Sequence, residues 1–191
     1  NILIAGGTDA GKTTLLRALL SEIDFSERLV TIEDPLELML SDDPRRDDLL
    51  ELEAREPNVE GQGEITIQQL VRQTKRMRAD RIIVGEVRGE EVIDMLDAMA
   101  TGNDGSLSTI HADSARAAIQ RVYSFGWRAG MPQQATASVL GAVLSAAPNA
   151  HVLVSSQELI GIGGEHVLRL PSLAIPAEAS PTAEAALAAG V

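Results

Sequence analysis

The sequence predicts an α/β fold with a mainly parallel central sheet flanked by helices. Three observations carry that prediction. Short apolar runs recur at Asn1–Ala5, Leu29–Ile32, Arg81–Val84 and Leu107–Ile110. Stretches of helical spacing lie between them, the alternation expected of parallel strands joined by crossover helices. A glycine-rich loop, Gly6-Gly7-Thr8-Asp9-Ala10-Gly11-Lys12-Thr13, stands between the first run and the first helix.

The first strand draws its apolar character from Ile2, Leu3 and Ile4. After the loop, Leu15, Leu16, Leu19 and Leu20 recur at helical spacing, which predicts a helix over Thr13–Ile23. Residues 36–65 are rich in Asp, Glu, Arg and Pro and read as an exposed acidic excursion, with a short strand or edge at Leu49, Leu50 and Leu52. Thr66-Ile67-Gln68-Gln69 has the form of a capping box and starts the next helix, whose buried stripe is Ile67, Leu70, Val71 and Met77. Ile82-Ile83-Val84 is apolar on consecutive positions, as in a strand covered on both faces. Further helices are expected over Glu90–Thr101, with Gly102 just past its end, over Ser114–Phe125 and over Gln134–Ala146. His151–Val154 and His166–Leu170 flank Gly161-Ile162-Gly163-Gly164, which suggests a C-terminal hairpin. The expected organisation is a core over 1–149, C-terminal strands over 150–175 that complete it, and a disordered tail over 176–191.

A chain of 191 residues is long enough to bury a core as one domain. Its formal net charge of -12 argues against an extended nucleic-acid surface and against direct adhesion to anionic lipid. There is no cysteine, so disulfides and thiolate metal sites are excluded. No apolar run approaches the ~18 residues of a membrane-spanning helix. With aromatics at 2% of residues, base stacking is not expected to come from this segment alone. The chain opens inside a strand without an initiator Met, as an excerpt of a longer sequence would.

The loop has the G-x-x-x-x-G-K-[ST] pattern in the strand–helix context that gives it meaning. Gly6 and Gly11 are expected to let the backbone turn tightly so that the N–H groups of residues 6–14, from Gly6 and Gly7 through Thr8, Asp9 and Ala10 to Thr14, approach phosphate oxygens. Lys12 adds a cation, the Thr13 hydroxyl is a Mg²⁺ ligand, and the helix N-terminus favours an anion. Together these predict binding of a nucleoside triphosphate with Mg²⁺.

Thr31-Ile32-Glu33-Asp34-Pro35-Leu36-Glu37 places carboxylates at the tip of the second strand, where one could orient or deprotonate an attacking water. Asp80-Arg81-Ile82-Ile83-Val84-Gly85-Glu86 is an apolar strand ending in an acid. Glu86 is a candidate to hold Mg²⁺ through its water shell, and Gly85 to let neighbouring backbone come close. His111 ends a further strand, where an imidazole could sense the γ-phosphate. Arg55, Arg72, Arg76, Arg78 and Arg88 are candidates to stabilise a transferring phosphoryl group, Arg88 being nearest Glu86. Nothing beside His151 and His166 suggests a ligand role.

These four elements, in this order, resemble those of the secretion traffic ATPases of type II and type IV machines. Leu52–Glu64, Arg76–Arg88 and Gly105–Ala112 resemble the CpaF/TadA-type branch, which serves tight-adherence pilus assembly. The resemblance covers residues 1–125 and fades afterwards. It implies a RecA-like P-loop core that binds ATP and Mg²⁺ and hydrolyses ATP as a subunit of a homo-hexamer. The implied partners are inner-membrane platform proteins of a pilus or secretion machine, without direct nucleic-acid contact. The implied location is cytoplasmic, peripheral at the inner-membrane face. Carried over by position, Lys12 contacts the β- and γ-phosphates, Thr13 and Glu86 serve Mg²⁺, Glu33 is the hydrolytic carboxylate and His111 the His-box histidine. Arg72 and Arg76 match arginines that precede the Walker B strand in relatives.

Two positions depart from the pattern. Asp9 stands where relatives often carry Gly or Asn, and Ala79 where they often carry Pro. Family members also carry an N-terminal domain not seen here, so this segment alone is expected to hydrolyse ATP poorly. The competing readings are a nucleotide-binding scaffold, which Asp9 favours, and a conjugative DNA-transfer ATPase, which the acidic balance disfavours. No Leu-Ser-Gly-Gly-Gln signature of ABC transporters occurs.

Overall fold

In the computed structural model the described residues are 1–132, 134–138 and 151–154. They form six strands, four α-helices and a 3-10 turn at Leu40–Asp42: β1 Ile2–Gly6, α1 Lys12–Ser21, β2 Leu29–Glu33, β3 Leu49–Glu53, α2 Ile67–Thr74, β4 Arg81–Val87, α3 Glu91–Ala100, β5 Leu107–His111, α4 Ala115–Arg128 and β6 His151–Val154. The sheet order is β3-β2-β4-β5-β1-β6, and every neighbouring pair is parallel. A helical turn occupies 134–138; the rest of the expected helix to Ala146, the second hairpin strand and the tail lie outside the described residues. His151–Val154 does form a strand, and it adds to β1 at the far side from β5.

Strand alternation sorts the core into two layers. On one face Ile4, Leu29 and Ile83 pack against Leu16 and Leu20 of α1. On the other, Ala5, Val30, Ile32, Ile82 and Val84 pack against Val71 of α2, Met95 of α3 and Phe125 of α4. Each fully buried aliphatic side chain contributes about 1.5–3 kcal/mol. Burial on both sides explains why Ile82-Ile83-Val84 shows no polar alternation.

Helix ends follow local hydrogen-bond chemistry. The Thr66 hydroxyl accepts the Gln69 N–H while the Gln69 side chain accepts the Thr66 N–H, the reciprocal capping box expected from sequence. Ser114 caps α4 through the Ala117 N–H. At the end of α3, Gly102 has φ +124 and the Asn103 N–H reaches back to the Ala98 carbonyl, which closes the helix.

The acidic excursion is only partly exposed. Leu38 is fully buried in the α1 layer, and β3 joins the sheet as its edge. On β3, Leu50 and Leu52 pack into the α2–α3–α4 layer, and Glu51 and Glu53 alternate onto the opposite face.

Candidate nucleotide site at the strand tips

The Gly6–Thr13 loop joins β1 to α1 at the carboxyl ends of the strands, where α/β sheets hold their ligands. Gly6 does not make the turn. It is the last residue of β1, paired in register with His111, and lacks a positive φ. Its role is close approach, since a Cβ there would stand 3.0 Å from Ala10 Cβ and 3.1 Å from Lys12 Cγ. The turn is made by Asp9, at φ 57, and by Gly11, at φ 80. Asp and Asn tolerate the left-handed region better than most residues, which gives a backbone reason for an Asp at position 9. The Asp9 side chain is exposed.

Lys12 Nζ donates 2.7 Å to the Gly7 carbonyl, which holds its ammonium inside the loop. Gly11 caps α1 with no side-chain acceptor, and no acid lies in the first turn. The leading N–H groups of α1 therefore lack intrahelical partners and present donors to an anion. This donor set, next to the Thr13 hydroxyl, fits a polyphosphate with a divalent cation.

A cleft of about 140 Å³ opens beside the loop, lined by Lys12, Thr13, Glu33, Asp34, Pro35, Glu37, Gly85, Glu86, Arg88 and Thr109. Glu33 is 3% exposed. Its Oε1 accepts the backbone N–H groups of Glu37 and Leu38 at 3.1 and 3.0 Å. Its Oε2 is buried and has no hydrogen-bond partner among the described residues. Burial pushes the carboxyl above its ordinary range; the two N–H bonds oppose that shift, and the charges of Glu51 and Glu37 add to it. A buried, half-satisfied carboxylate with a raised proton affinity suits a proton acceptor.

Gly85 and Glu86 reach the cleft because β4 is bulged. Its pairing with β5 runs Ile83↔Leu107, Val84↔Ser108 and then Val87↔Ile110, which leaves one extra residue on β4. Strict alternation would put Glu86 on the face of Ile82 and Val84, away from α1. The bulge instead returns Val87 to that layer and leaves Glu86 in the cleft. Gly85 admits a side chain rather than backbone: a Cβ there would stand 3.1 Å from Glu33 Cγ. The Thr109 hydroxyl donates 2.7 Å to the Gly85 carbonyl and fixes the bulge from β5.

Arg88 Nε donates to Glu86 Oε2 at 2.7 Å. The turn that carries Arg88 is held by Glu91, whose Oε1 accepts the N–H groups of Arg88 and Gly89 at 2.6 and 2.8 Å. His111 sits half-buried at the end of β5, beside the start of the loop, and does not line the cleft. Arg72 pairs with Asp94 across α2 and α3, and Arg76 is exposed past the end of α2; neither lines the cleft. Arg55 Nε donates to the Gly63 carbonyl at the bridge between Arg55 and Ile65, and Arg78 is exposed with φ 54. No sequence motif singles out Glu51, Glu53, Thr109 or Glu91: the first three act through partners on distant segments, and Glu91 through turn amides two and three residues before it.

A family profile described as Type II/IV secretion system protein matches residues 1–159. A Mycobacterium tuberculosis (strain H37Rv) protein provisionally named for conjugal transfer, Rv3659c, is 48% identical over 142 residues, covering 74% of this chain and 39% of that one. The type IV secretion system protein VirB11 of Brucella suis is 41% identical over 122 residues, or 63% of this chain and 33% of the relative. The chain thus spans about two fifths or less of the length of these curated relatives. Among solved structures, the VirB11 ATPase of the Brucella suis type IV secretion system, in complex with sulphate, superposes with a TM-score of 0.63 at 33% identity, covering 73% of this chain and 41% of that one. The pilus retraction motor PilT with bound ADP shares the fold, with a TM-score of 0.55 at 23% identity over 75% of this chain and 38% of that one. The fold is therefore the RecA-like α/β core expected from sequence. No helix among the described residues is long and apolar enough to cross a membrane.

Proposed function

The chain belongs to the Type II/IV secretion system protein family, and from that premise we propose that it is the ATP-hydrolysing core of a secretion motor. The observation that carries this reading is the buried Glu33 Oε2, without a hydrogen-bond partner among the described residues, in the same cleft as Lys12 and Thr13. Lys12 and the amides of the loop and of the α1 N-terminus would hold the triphosphate. The Thr13 hydroxyl and Glu86, the latter partly through water, would hold Mg²⁺, which when bound neutralises charge on the β- and γ-phosphate oxygens. Glu33 orients a water and takes its proton at Oε2 as the water oxygen bonds to the γ-phosphorus and the bond to the β-phosphate oxygen breaks. Arg88 holds the Glu86 carboxylate by their ion pair, and Glu91 holds Arg88.

Within the family we place the chain in the CpaF/TadA-type branch, on Leu52–Glu64, Arg76–Arg88 and Gly105–Ala112. The working unit is a homo-hexamer at the cytoplasmic face of the inner membrane, engaging platform proteins of a pilus or secretion machine. Membership in the family and the resemblance of these stretches support that assignment. Arg72, Arg76 and His111 then serve a neighbouring subunit or link it to the phosphates, in keeping with their positions outside the cleft. Two other readings have support. The name of the mycobacterial relative favours conjugal transfer, and the exposed Asp9 in the phosphate loop favours a scaffold that binds nucleotide with little turnover.

The deciding experiment measures ATP turnover and nucleotide binding by the full-length protein and its Glu86→Gln variant. Turnover in the wild type, lost in the variant with binding retained, is the expected outcome. A wild type that binds without turnover would refute the motor reading in favour of the scaffold.

A further inference from the structure

Three carboxylates of the sheet take the backbone amides of the loop that follows β2. Glu33 Oε1 accepts the Glu37 and Leu38 N–H groups, Glu51 Oε1 accepts the Leu40 N–H at 2.9 Å, and Glu53 Oε1 accepts the Leu36 N–H at 3.3 Å. Parallel pairing brings this about: Thr31 lies opposite Glu51 and Glu33 opposite Glu53, so all four side chains share the α1 face. The α1 helix packs on β1 and β5 and leaves the β2–β3 edge of that face to the loop. Leu38 fills it, fully buried with Leu16 and Leu20 of α1.

Glu33 is thus held from two directions, by its own strand and by the loop whose amides grip Oε1. The loop in turn is held at its far end by Glu51. Exposed acids on an edge strand ordinarily only keep it soluble. Here Glu51 is half-buried and bonded to a specific amide, and its charge acts on Glu33.

We propose that Glu51 is a positioning residue for hydrolysis: it clamps the 36–40 loop, and through the Glu37 and Leu38 amides it sets where the free Glu33 oxygen points. The proposal rests on Glu33 being the hydrolytic carboxylate. The charged groups around Glu33 are Lys12 from α1, Asp34 and Glu37 from the loop, Glu51 and Glu53 from β3, and Glu86 and Arg88 from the end of β4. Of these, Glu51 can be neutralised while keeping its acceptor oxygen, because a Gln in its place still offers Oε1 to the Leu40 N–H.

The test compares kcat, KM for ATP and the pH profile of the full-length protein with its Glu51→Ala, Glu51→Gln and Glu33→Gln variants. Glu51→Ala should lower kcat about ten- to a hundredfold, the cost of misplacing a reacting group by about an ångström, and leave KM unchanged. Glu51→Gln should keep kcat near the wild type at neutral pH and move the acid limb of the profile to lower pH. A wild-type kcat in Glu51→Ala overturns the proposal, and so does a parallel loss of kcat and ATP affinity, which marks a merely structural part. If Glu51→Ala does not fold, Glu51→Asp takes its place, since it keeps the charge and draws the acceptor back from the Leu40 N–H; a wild-type kcat there overturns the proposal. Turnover surviving in Glu33→Gln would instead refute the assignment of Glu33 on which the proposal stands.

Discussion

Replacing Gly85 by Ala tests the geometry of the cleft with a single methyl group. Gly85 does not have a positive φ, so an alanine adds no backbone strain, only volume. The new Cβ would stand 3.1 Å from Glu33 Cγ, 3.5 Å from its Oε1 and 3.6 Å from its Cβ. Carbon pairs rest at about 3.5–4.0 Å, so the Glu33 side chain must retreat by roughly 0.4–0.9 Å. Its Oε1 sits 3.0–3.1 Å from two amides, an ordinary hydrogen-bond length, and a retreat of that size stretches both bonds past the usual range. Overpacking a buried site of this kind costs about 1–3 kcal/mol. At roughly 2–4 °C per kcal/mol for a domain this size, that is a drop in melting temperature of about 2–12 °C. Turnover should fall about ten- to a hundredfold through misplacement of the carboxylate. Nucleotide affinity, set by Lys12, Thr13 and the loop amides, should hold. Adding Glu33→Asp, which shortens the crowding side chain, should restore part of the melting temperature and none of the turnover. The assays are thermal melting, nucleotide binding and ATP turnover on the full-length protein. If Gly85→Ala melts and turns over like the wild type, the packing of Glu33 on Gly85 is not what places the carboxylate.

Glu33→Gln should separate stability from activity. Burial raises the Glu33 carboxyl above its unfolded value, so the stability tied to this group is present below the ordinary carboxylate range and is lost as pH rises through the raised folded value. The variant should therefore melt higher than the wild type near pH 7, with the gap closing toward about pH 4, while turnover is lost; an equal gap at both pH values would contradict this sign. Arg88→Ala removes an ion pair whose Arg side chain is 60% exposed, so melting should move by no more than about 0–1 kcal/mol, yet turnover should fall as Glu86 loses its tether. Unchanged turnover would make that pair incidental. Thr66→Ala should cost about 0.5–2 kcal/mol in denaturant unfolding through loss of the α2 cap, with turnover intact in the folded protein.

What the sequence made legible was local. The phosphate loop, the α1 stripe and the Thr66 capping box are written in residues within one or two turns of each other, and all formed where expected. The β4 bulge was not legible in the same way, because it exists only in the pairing of β4 with β5, more than twenty residues away. A signal was present all the same: Val84 and Val87 lie three apart on one face with a glycine between them, which a plain strand does not allow. The acids of the excursion misled for a related reason. Composition presents Glu51 and Glu53 as solvated charge, and only the register with β2 shows that they face the amides of the loop. The sequence points to Gly6 and Gly11 as the turn residues; Gly11 does turn, but with Asp9 as its partner, and Gly6 serves only the close approach.

The sheet order explains why the cleft has small residues at its floor. Between β1, which leads into the phosphate loop, and β2, which ends in Glu33, stand β5 and β4. Three strand steps at about 4.8 Å separate β1 from β2 by roughly 14 Å, too far for a loop on one tip to meet a carboxylate held upright on the other. Both sides must lean inward. The α1 helix leaves the β1 tip and packs over β5, which brings Lys12 and Thr13 across. Glu33 leans over β4, and it can do so because position 85 has no side chain. A strict β4 would then have turned Glu86 to the far face; the bulge keeps it in the gap between the two leaning partners, with Thr109 of β5 bonded to the Gly85 carbonyl beneath. The glycine, the bulge and the threonine are three parts of one solution to a spacing that the strand order imposes.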